Sequence, residues 1–172
     1  MATSTLIQKL DTTAFESSKT VPGSYTAVST PDVSNRRQVE TFIVGKGGTV
    51  VVGDAVALDT ATAGLSSAER SILVLPANAT TLLNTVGVVL GSAESDGSLT
   101  ETSKINVCIR GICSAKVAAG VAAGSIVRSS GTAGTLAAAV AGDAENYTLV
   151  GRTITAVSVA GFADVFVHGV SN

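Results

Sequence analysis

The sequence predicts an all-β fold, and three observations support this prediction. Apolar residues make up 45% of the chain but aromatic residues only 3%, so the core must consist mainly of Val, Ile, Leu and Ala. Eighteen glycines supply turns. Residues 105–110 alternate between branched apolar side chains and Asn, Cys or Arg, which is the period of a strand. We expect a compact β-sandwich or barrel-like domain with an extended N-terminal arm.

Short segments of the first half recur in the same order in the second half. The matched pairs are Val52–Val56 with Ala123–Val127, Thr85–Gly87 with Leu149–Gly151, and Val107–Cys113 with Val165–Ser171. Three matches in one order favour an internal repeat over a single match. The alternative is that Val- and Gly-rich strands look alike by chance. The repeat predicts two related β units, about 42–117 and 118–172, within one β domain of residues 39–172.

Residues 1–38 differ from the rest of the chain. They contain two of the three prolines, charges of both signs, and isolated apolar residues without a helical or strand period. This composition is typical of a segment that is extended or becomes ordered on a partner. Ordering costs about 1–2 kcal/mol per residue in backbone entropy, so only a partner with strand edges and apolar pockets could offset it.

The first predicted strand is Val39–Val44, and Gly45–Gly48 follows it as a turn. A phosphate-binding loop is the alternative interpretation of this glycine-rich turn. That motif requires Ser or Thr directly after a Gly-Lys pair and then a helix, whereas Lys46 is followed by a glycine pair and a β segment. A second strand, Val50–Leu58, is predicted to break at Gly53.

Residues 59–117 are predicted to contain three strands separated by polar loops. Asp59–Arg70 is a polar loop and Ser71–Leu75 a short strand, while Asn84–Val117 contains an apolar strand, a solvated loop at 92–103 and the alternating strand. A bulge is expected at Gly111. Cys108 and Cys113 would then lie on opposite faces or too far apart for a disulfide, and we expect two buried thiols and a reducing compartment.

The last third of the chain is the least informative. Residues 118–142 are mostly small, and 136–141 could form one or two helical turns or, more consistent with the composition, strand and loop. Two strands, Tyr147–Val159 and Phe162–Val170, are predicted to complete the domain.

The sequence does not favour catalysis, a cofactor or a metal site. His168 is the only histidine, and neither CxxC nor HxxxH spacing occurs. A Ser-His-Asp arrangement stays open because such triads are defined in space, yet no GxSxG segment is present. His168 occupies the position of Arg110 in the repeat, which indicates an outward-facing side chain. The carboxylates lack the spacing of a calcium loop.

Charge and hydropathy argue against two further classes. A net charge of −2 provides no field that would attract nucleic acid or an anionic membrane. The most apolar segment, 117–127, is about half the length of a membrane-spanning helix. We therefore expect a soluble protein.

One stretch is similar to a known family. The residues are Asp54–Asp59, the Gly64-Leu65 turn, the segment NTVGVVLGSAES, a Thr-rich loop, and KINVCIRGICSAKV. They resemble the head-decoration, or capsid cement, proteins of lambda-like tailed bacteriophages and their relatives, over about 40% of the chain. The resemblance implies a compact β protein on the exterior of a virion head, synthesised in the host cytoplasm. It also implies self-association, with a trimer favoured.

The family resemblance further implies that the arm adds a strand to the major capsid protein. The predicted contacts are apolar side chains along the arm and two arginines at its root: Leu6, Ile7, Leu10, Phe15, Val21, Tyr25, Arg36 and Arg37. The alternative for these residues is a disordered tail with incidental apolar side chains. This chain is longer than the family pattern, with residues 118–172 added.

Two other functions remain open at this stage. A head-fibre or tail subunit that binds host glycans would need exposed aromatic side chains, and only six Phe and Tyr are present. A major coat subunit would need a long spine helix, for which no amphipathic segment of sufficient length is found.

Overall fold

The computed structural model describes residues 38–78, 84–92, 98–140 and 149–168. Within these ranges the chain forms eleven strands and one four-residue helix, α1 (Ser67–Arg70). The strands are β1 (Gln38–Val44), β2 (Thr49–Val50), β3 (Ala55–Leu58), β4 (Leu73–Pro76), β5 (Thr85–Gly91), β6 (Leu99–Thr100), β7 (Lys104–Val117), β8 (Ile126–Ser129), β9 (Leu136–Ala138), β10 (Leu149–Thr153) and β11 (Gly161–Val167). The predicted all-β class is confirmed.

Nine strands form one sheet in the order β1-β4-β3-β5-β7-β11-β10-β8-β9, and two additional pairings close it. β1 pairs with the N-terminal part of β7, which closes a ring of β1, β4, β3, β5 and β7. β9 pairs with the C-terminal end of β7, which closes a second ring of β7, β11, β10, β8 and β9. The long strand β7 therefore belongs to both rings.

The two rings have the same pairing pattern. In the first ring β1 lies parallel to β4, with Val44 opposite Val74. In the second ring the end of β7 lies parallel to β9, with Val117 opposite Leu136. The second half of β7 thus occupies the place in the second ring that β1 occupies in the first. The pairing pattern consequently repeats across a boundary near Gly111, whereas the units predicted from the sequence divide a few residues later, at 117.

Each ring has its own apolar cluster. The first contains Phe42, Val44, Val50, Val56, Val74, Val89, Leu99, Ile105 and Val107. The second is larger and contains Cys108, Cys113, Ala115, Val117, Val121, Val127, Leu136, Val150, Val157, Ala163, Val165 and Val167, together with Ala55, Ala57, Ala77 and Val88 of the first half. β3 and β5 contribute side chains to both clusters, so residues of the first half also pack against the cluster of the second ring.

A bulge in β7 explains why both cysteines face one cluster. Gln38 pairs with Arg110 and Val39 with Cys108, so the residue between them on β7 has no partner. Gly111 follows with a φ of 113°. The bulge reverses the alternation, and Cys108 and Cys113 both belong to the larger cluster. Of the two predicted arrangements, opposite faces is therefore wrong, and a separation too large for a disulfide stays a prediction. Neither forms a disulfide, and both are buried, as expected.

Several predicted loops and strands differ from the structure. The predicted solvated loop 92–103 contains β6, whose Leu99 is only 1% exposed and packs in the first ring. The predicted strand 147–159 ends at Thr153, after which only an isolated bridge joins Val157 to Val121. Residues 136–138 form β9, so the helical alternative for 136–141 is wrong there.

The predicted polar loop 59–70 ends in α1, which begins with a capping box. The Ser66 side chain accepts a hydrogen bond from the backbone N–H of Glu69, and Glu69 in turn accepts bonds of 2.7 Å from the Ser66 hydroxyl and backbone N–H. These two hydrogen bonds hold the pKa of the exposed Glu69 below its ordinary value, and the bond from the Ser66 hydroxyl has the larger effect.

Among the described residues, an ion pair between Asp54 and Lys116 connects the two halves. Asp54 is nearly buried in the turn before β3, and its Oδ1 lies 2.7 Å from Nζ of Lys116 on the second half of β7. Its Oδ2 accepts a hydrogen bond from Val51, and the backbone N–H of Lys116 donates to the carbonyl of Gly53. Both carboxylate oxygens of Asp54 therefore have partners, one of them in the second half.

Two glycines occupy equivalent, crowded positions. Gly87 on β5 lies against the carbonyl oxygen of Cys108, and Gly151 on β10 lies against that of Phe166, so a methyl group at either site would collide with a neighbouring backbone. The sequence comparison matched these two glycines with each other. The repeat therefore preserves a close approach of two strands.

We predict that Gly87→Ala and Gly151→Ala each lower the free energy of unfolding by about 1–3 kcal/mol, because the strands must separate to accept the methyl group. Urea unfolding followed by circular dichroism measures the change. Gly131→Ala is the matched control, since no atom lies within 4 Å of the added methyl position. Its effect should stay within about 0.5 kcal/mol. Equal stabilities of all three variants would contradict the close-approach argument.

Candidate functional site

The contact residues predicted from the sequence lie outside the described part of the chain. They are Leu6, Ile7, Leu10, Phe15, Val21, Tyr25, Arg36 and Arg37, all of which precede Gln38. The assignment of these residues to a partner contact stays a prediction. The described residues do, however, form a pocket and an exposed aromatic strip that the sequence did not reveal.

A pocket of about 340 Å³ lies at one end of the first ring. It is formed by the end of β1 and the following turn, by the loop 59–65, by Leu73 on β4, and by Glu101 and Thr102 after β6. Its walls are largely apolar, with Ile43 and Leu65 among them. This volume is at the lower end of the range for small-ligand sites.

The unusual group in this pocket is the carboxylate of Asp59. Asp59 is 0% exposed. Its Oδ1 accepts a hydrogen bond of 3.0 Å from the backbone N–H of Thr62, which fixes the turn after β3. Its Oδ2 has no hydrogen-bond donor among the described residues. A buried polar atom without a partner destabilises a fold, so this oxygen calls for an explanation beyond the turn.

The second half of the molecule provides an internal control for Asp59. Ser130 follows β8 as Asp59 follows β3, and its hydroxyl accepts a hydrogen bond from Thr132 and donates one to the carbonyl of the same residue, both at 3.0 Å. The backbone N–H of Asp59 donates to the carbonyl of Leu73, and the backbone N–H of Ser130 donates to the carbonyl of Thr135, which is the equivalent position in the second ring. The Asp59 carboxylate thus binds the N–H three residues on, and the Ser130 hydroxyl binds the N–H two residues on. The second carboxylate oxygen of Asp59 is not required by the turn itself.

Gly45 packs closely beside this oxygen. A methyl group at residue 45 would lie 3.1 Å from Oδ2 of Asp59 and 3.4 Å from the Leu75 side chain. Its φ is not in the left-handed region, so the conformation does not require glycine there. The small residue instead allows the turn to pack closely against Asp59 and Leu75.

The rim of the pocket carries charges of both signs. Lys46 is exposed in the turn, and the backbone N–H of Gly47 donates to Oε2 of Glu101 at 3.2 Å. The backbone N–H of Gly47, which a phosphate loop would present to a phosphate, therefore binds the carboxylate of Glu101. The backbone N–H of Gly48 donates to the carbonyl of Gly45 and forms the predicted turn. Lys46 and Glu101 are exposed, whereas the carboxylate of Asp59 is buried, so the accessible charges of the pocket are one of each sign.

Arg70 holds the loop wall in place. Its Nη1 donates to the carbonyl of Thr60 at 2.6 Å, and its Nε donates to that of Leu65 at 3.3 Å. Asn84 donates to the Thr60 hydroxyl at 3.0 Å. These bonds come from α1 and from the residue preceding β5, so the wall is fixed by elements outside it.

An exposed aromatic strip runs along β11. Phe162 is 59% exposed and packs over Gly53, and Phe166 packs edge-on against His168, with ring centroids 4.9 Å apart. His168 faces outward, as the repeat predicted. Among the described residues no group of three or more His, Cys, Asp or Glu side chains is arranged to hold a metal ion. No helix in the described ranges has the length and apolar character needed to cross a bilayer.

The pocket could have been found from the repeat. Aligned on Val56 and Val127, the first half has a buried aspartate where the second half has serine. Such a charged residue at a turn shared by both halves marks a position to examine. The sequence alone could not show that Oδ2 lacks a partner or that Gly45 lies beside it.

We predict that Asp59→Ser raises the free energy of unfolding by about 1 kcal/mol, because serine keeps the turn bond and removes the unpartnered oxygen. Asp59→Ala should be about 1 kcal/mol less stable than Asp59→Ser, since it loses the turn bond. Urea unfolding measures both. A marked loss of stability in Asp59→Ser would show that the whole carboxylate is structural.

No protein family model matches the chain, and no curated protein matches it. Among solved structures, the fold is similar to the N base of the head fibre protein gp8.5 of bacteriophage phi29. The identity is 8%, and the match covers 78% of this chain and 98% of that chain, with a TM-score of 0.46. Because the TM-score is below 0.5, this likeness does not establish a common function.

Proposed function

We propose that this chain is a structural subunit of a bacteriophage head, a non-enzymatic decoration or cement protein on the capsid exterior. In this role the N-terminal arm clamps neighbouring major capsid subunits and the β body remains outside. The proposal rests on the resemblance of residues 54–117 to that family and on one structural observation, the closure of both strand rings.

Ring closure favours a structural role for a specific reason. Each of the nine sheet strands has a paired neighbour on both sides along at least part of its length, which shortens the open edges of the described rings. Many copies can then lie side by side on a shell without edge-to-edge aggregation. Contacts with a partner must come from side-chain faces or from a segment outside the rings.

The arm supplies such a segment. Residues 1–37 precede β1 directly, and β1 is a member of the first ring. A segment added to a sheet of the coat protein would gain main-chain hydrogen bonds, while alternate apolar side chains would supply specificity. Each contact need only reach the standard size of about 1,600 Å², because a closed shell repeats it many times.

Deleting residues 1–36 should abolish binding to shells of the major capsid protein prepared without this chain. The expected reason is loss of the clamp, with the β body intact. Co-sedimentation with the shells measures binding, and circular dichroism verifies the fold of the truncated protein. Unchanged binding by the truncated protein would rule the clamp out.

Two full-length variants test whether the apolar side chains of the arm, and not merely its presence, are needed for shell binding. In one variant Leu6, Leu10 and Phe15 are replaced by Ser, and in the other Ser4, Ser17 and Ser24 are replaced by Ala. The first should bind shells far more weakly, and the second like the unaltered chain. Equal binding by both would assign the arm's effect to its backbone alone.

A second candidate function is favoured by the aromatic strip on β11. A head-fibre or tail subunit that binds host glycans needs exposed aromatic surfaces, and Phe162 and Phe166 provide them. Glycan-array binding that is lost in Phe162→Ala but retained in Val159→Ala would favour this function. Val159 is 76% exposed, so its substitution controls for loss of apolar surface in general.

A further inference from the structure

We propose that one face of the second ring binds the same face of a second copy of this chain. The face is formed by outward side chains of β7, β8, β10 and β11: Ile112, Ile126, Arg152, Phe162, Asp164 and Phe166. We call these six residues the outer face. The inference concerns the β body alone and does not depend on the proposed shell binding.

The internal repeat provides a comparison for this face, because each ring contains a crosswise row of three outward side chains. In the first ring the row is Ala55, Val88 and Cys108, and in the second ring it is Ile126, Arg152 and Phe166. The two rows are equivalent, since the crowded glycines of the two rings lie against the carbonyl oxygens of Cys108 and Phe166, respectively.

The two rows differ in burial. All three side chains of the first row are 0% exposed and belong to the larger cluster, because the second ring packs over them. In the second row Ile126 is half-buried, Arg152 is exposed and Phe166 is 38% exposed, and no segment of the described chain packs over the row. The position that the fold covers in the first ring is therefore left uncovered in the second.

Further apolar side chains adjoin the uncovered row. Ile112 on β7 lies opposite Phe166, and Phe162 lies on the same face of β11, where it is 59% exposed. Contiguous exposed apolar and aromatic side chains are typical of protein contact surfaces. A second sheet packed face to face at the spacing of a β-sandwich, about 10 Å, would bury both rings.

The charges of the outer face identify the second sheet as a copy of the first. Arg152 lies opposite Phe166, and Asp164 precedes Phe166 by two residues on the same face, so the two charged residues are diagonal neighbours. Nη1 of Arg152 donates to the carbonyl of Gly124 at 3.1 Å. The carboxylate of Asp164 has neither a hydrogen-bond donor nor an ion-pair partner among the described residues.

A face with both signs side by side is complementary to itself. In a two-fold contact, residue i of one copy meets residue j of the other and the reverse also holds. Arg152 of each copy can then face Asp164 of the other, so both charges are paired. A uniformly acidic or basic partner would leave one of the two charges opposite a like charge, which is unfavourable.

The size of the face predicts a weak dimer. Four strands about 4.8 Å apart, with seven residues each rising about 3.3 Å, give a face of about 20 Å in each direction including side chains. Two such faces bury less than the standard interface of about 1,600 Å². We therefore expect a Kd on the order of tens of micromolar.

Sedimentation velocity of the full chain over a micromolar concentration series tests the association. The unaltered chain should change from monomer to dimer, and Phe166→Ser should raise the dimer Kd at least about tenfold because each copy loses its central ring. Ile72→Ser is the matched control. Ile72 is 44% exposed and precedes β4 of the first ring, so this variant should dimerise like the unaltered chain.

A charge exchange tests the two-fold arrangement. Asp164→Arg alone and Arg152→Asp alone should each raise the dimer Kd at least about tenfold, because like charges then face each other twice. The double variant should return the Kd to within about threefold of the unaltered value, since the pairs form again with the signs exchanged. Circular dichroism verifies the fold of every variant.

Three results would overturn the proposal. The first is a monomer at every concentration, and loss of binding to glycans or capsid shells in Phe166→Ser would then assign the face to that partner instead. The second is a dimer, or the trimer that the family resemblance implies, whose affinity is unchanged by Phe166→Ser. The third is a double charge variant that associates as weakly as the single variants.

Discussion

The sharing of β7 by both rings is the constraint on which the rest of the structure depends. Its first half closes the ring that begins with β1, and its second half takes the position of β1 in the other ring. A change of pairing at the bulge near Gly111 would therefore alter both cores at once. The Asp54–Lys116 ion pair and the apolar side chains of β3 and β5 strengthen the same junction.

Much of this fold could be predicted because strand period and glycine position are local signals. The alternation in 105–110, the glycine turn at 45–48 and the matched glycines at 87 and 151 all correspond to features of the structure. Ring closure could not be predicted, since it depends on parallel pairs of one or two residues between distant strands. Leu99 was misjudged because a single apolar residue in a polar loop carries no period.

The candidate site shows a different limit of sequence reasoning. Sequence reasoning predicts a turn at residues 45–48 and argues against phosphate binding there. It does not show that this turn contacts Asp59 and Glu101, which are distant in sequence. The lack of a hydrogen-bond donor for Oδ2 of Asp59 results from how the chain packs, and the sequence does not show it. The repeat nevertheless contains the clue, because one half has a carboxylate where the other manages with a hydroxyl.

The ends of the two outer strands have a consequence for engineering the protein. β1 begins at Gln38 opposite Arg110, and β11 ends at Val167 opposite Gly111. The chain thus enters and leaves the double ring at adjacent residues of one strand. A segment inserted at the end of β11 would therefore lie beside Gln38, whereas one inserted in the turn around Gly120 would lie beyond the opposite end of β7.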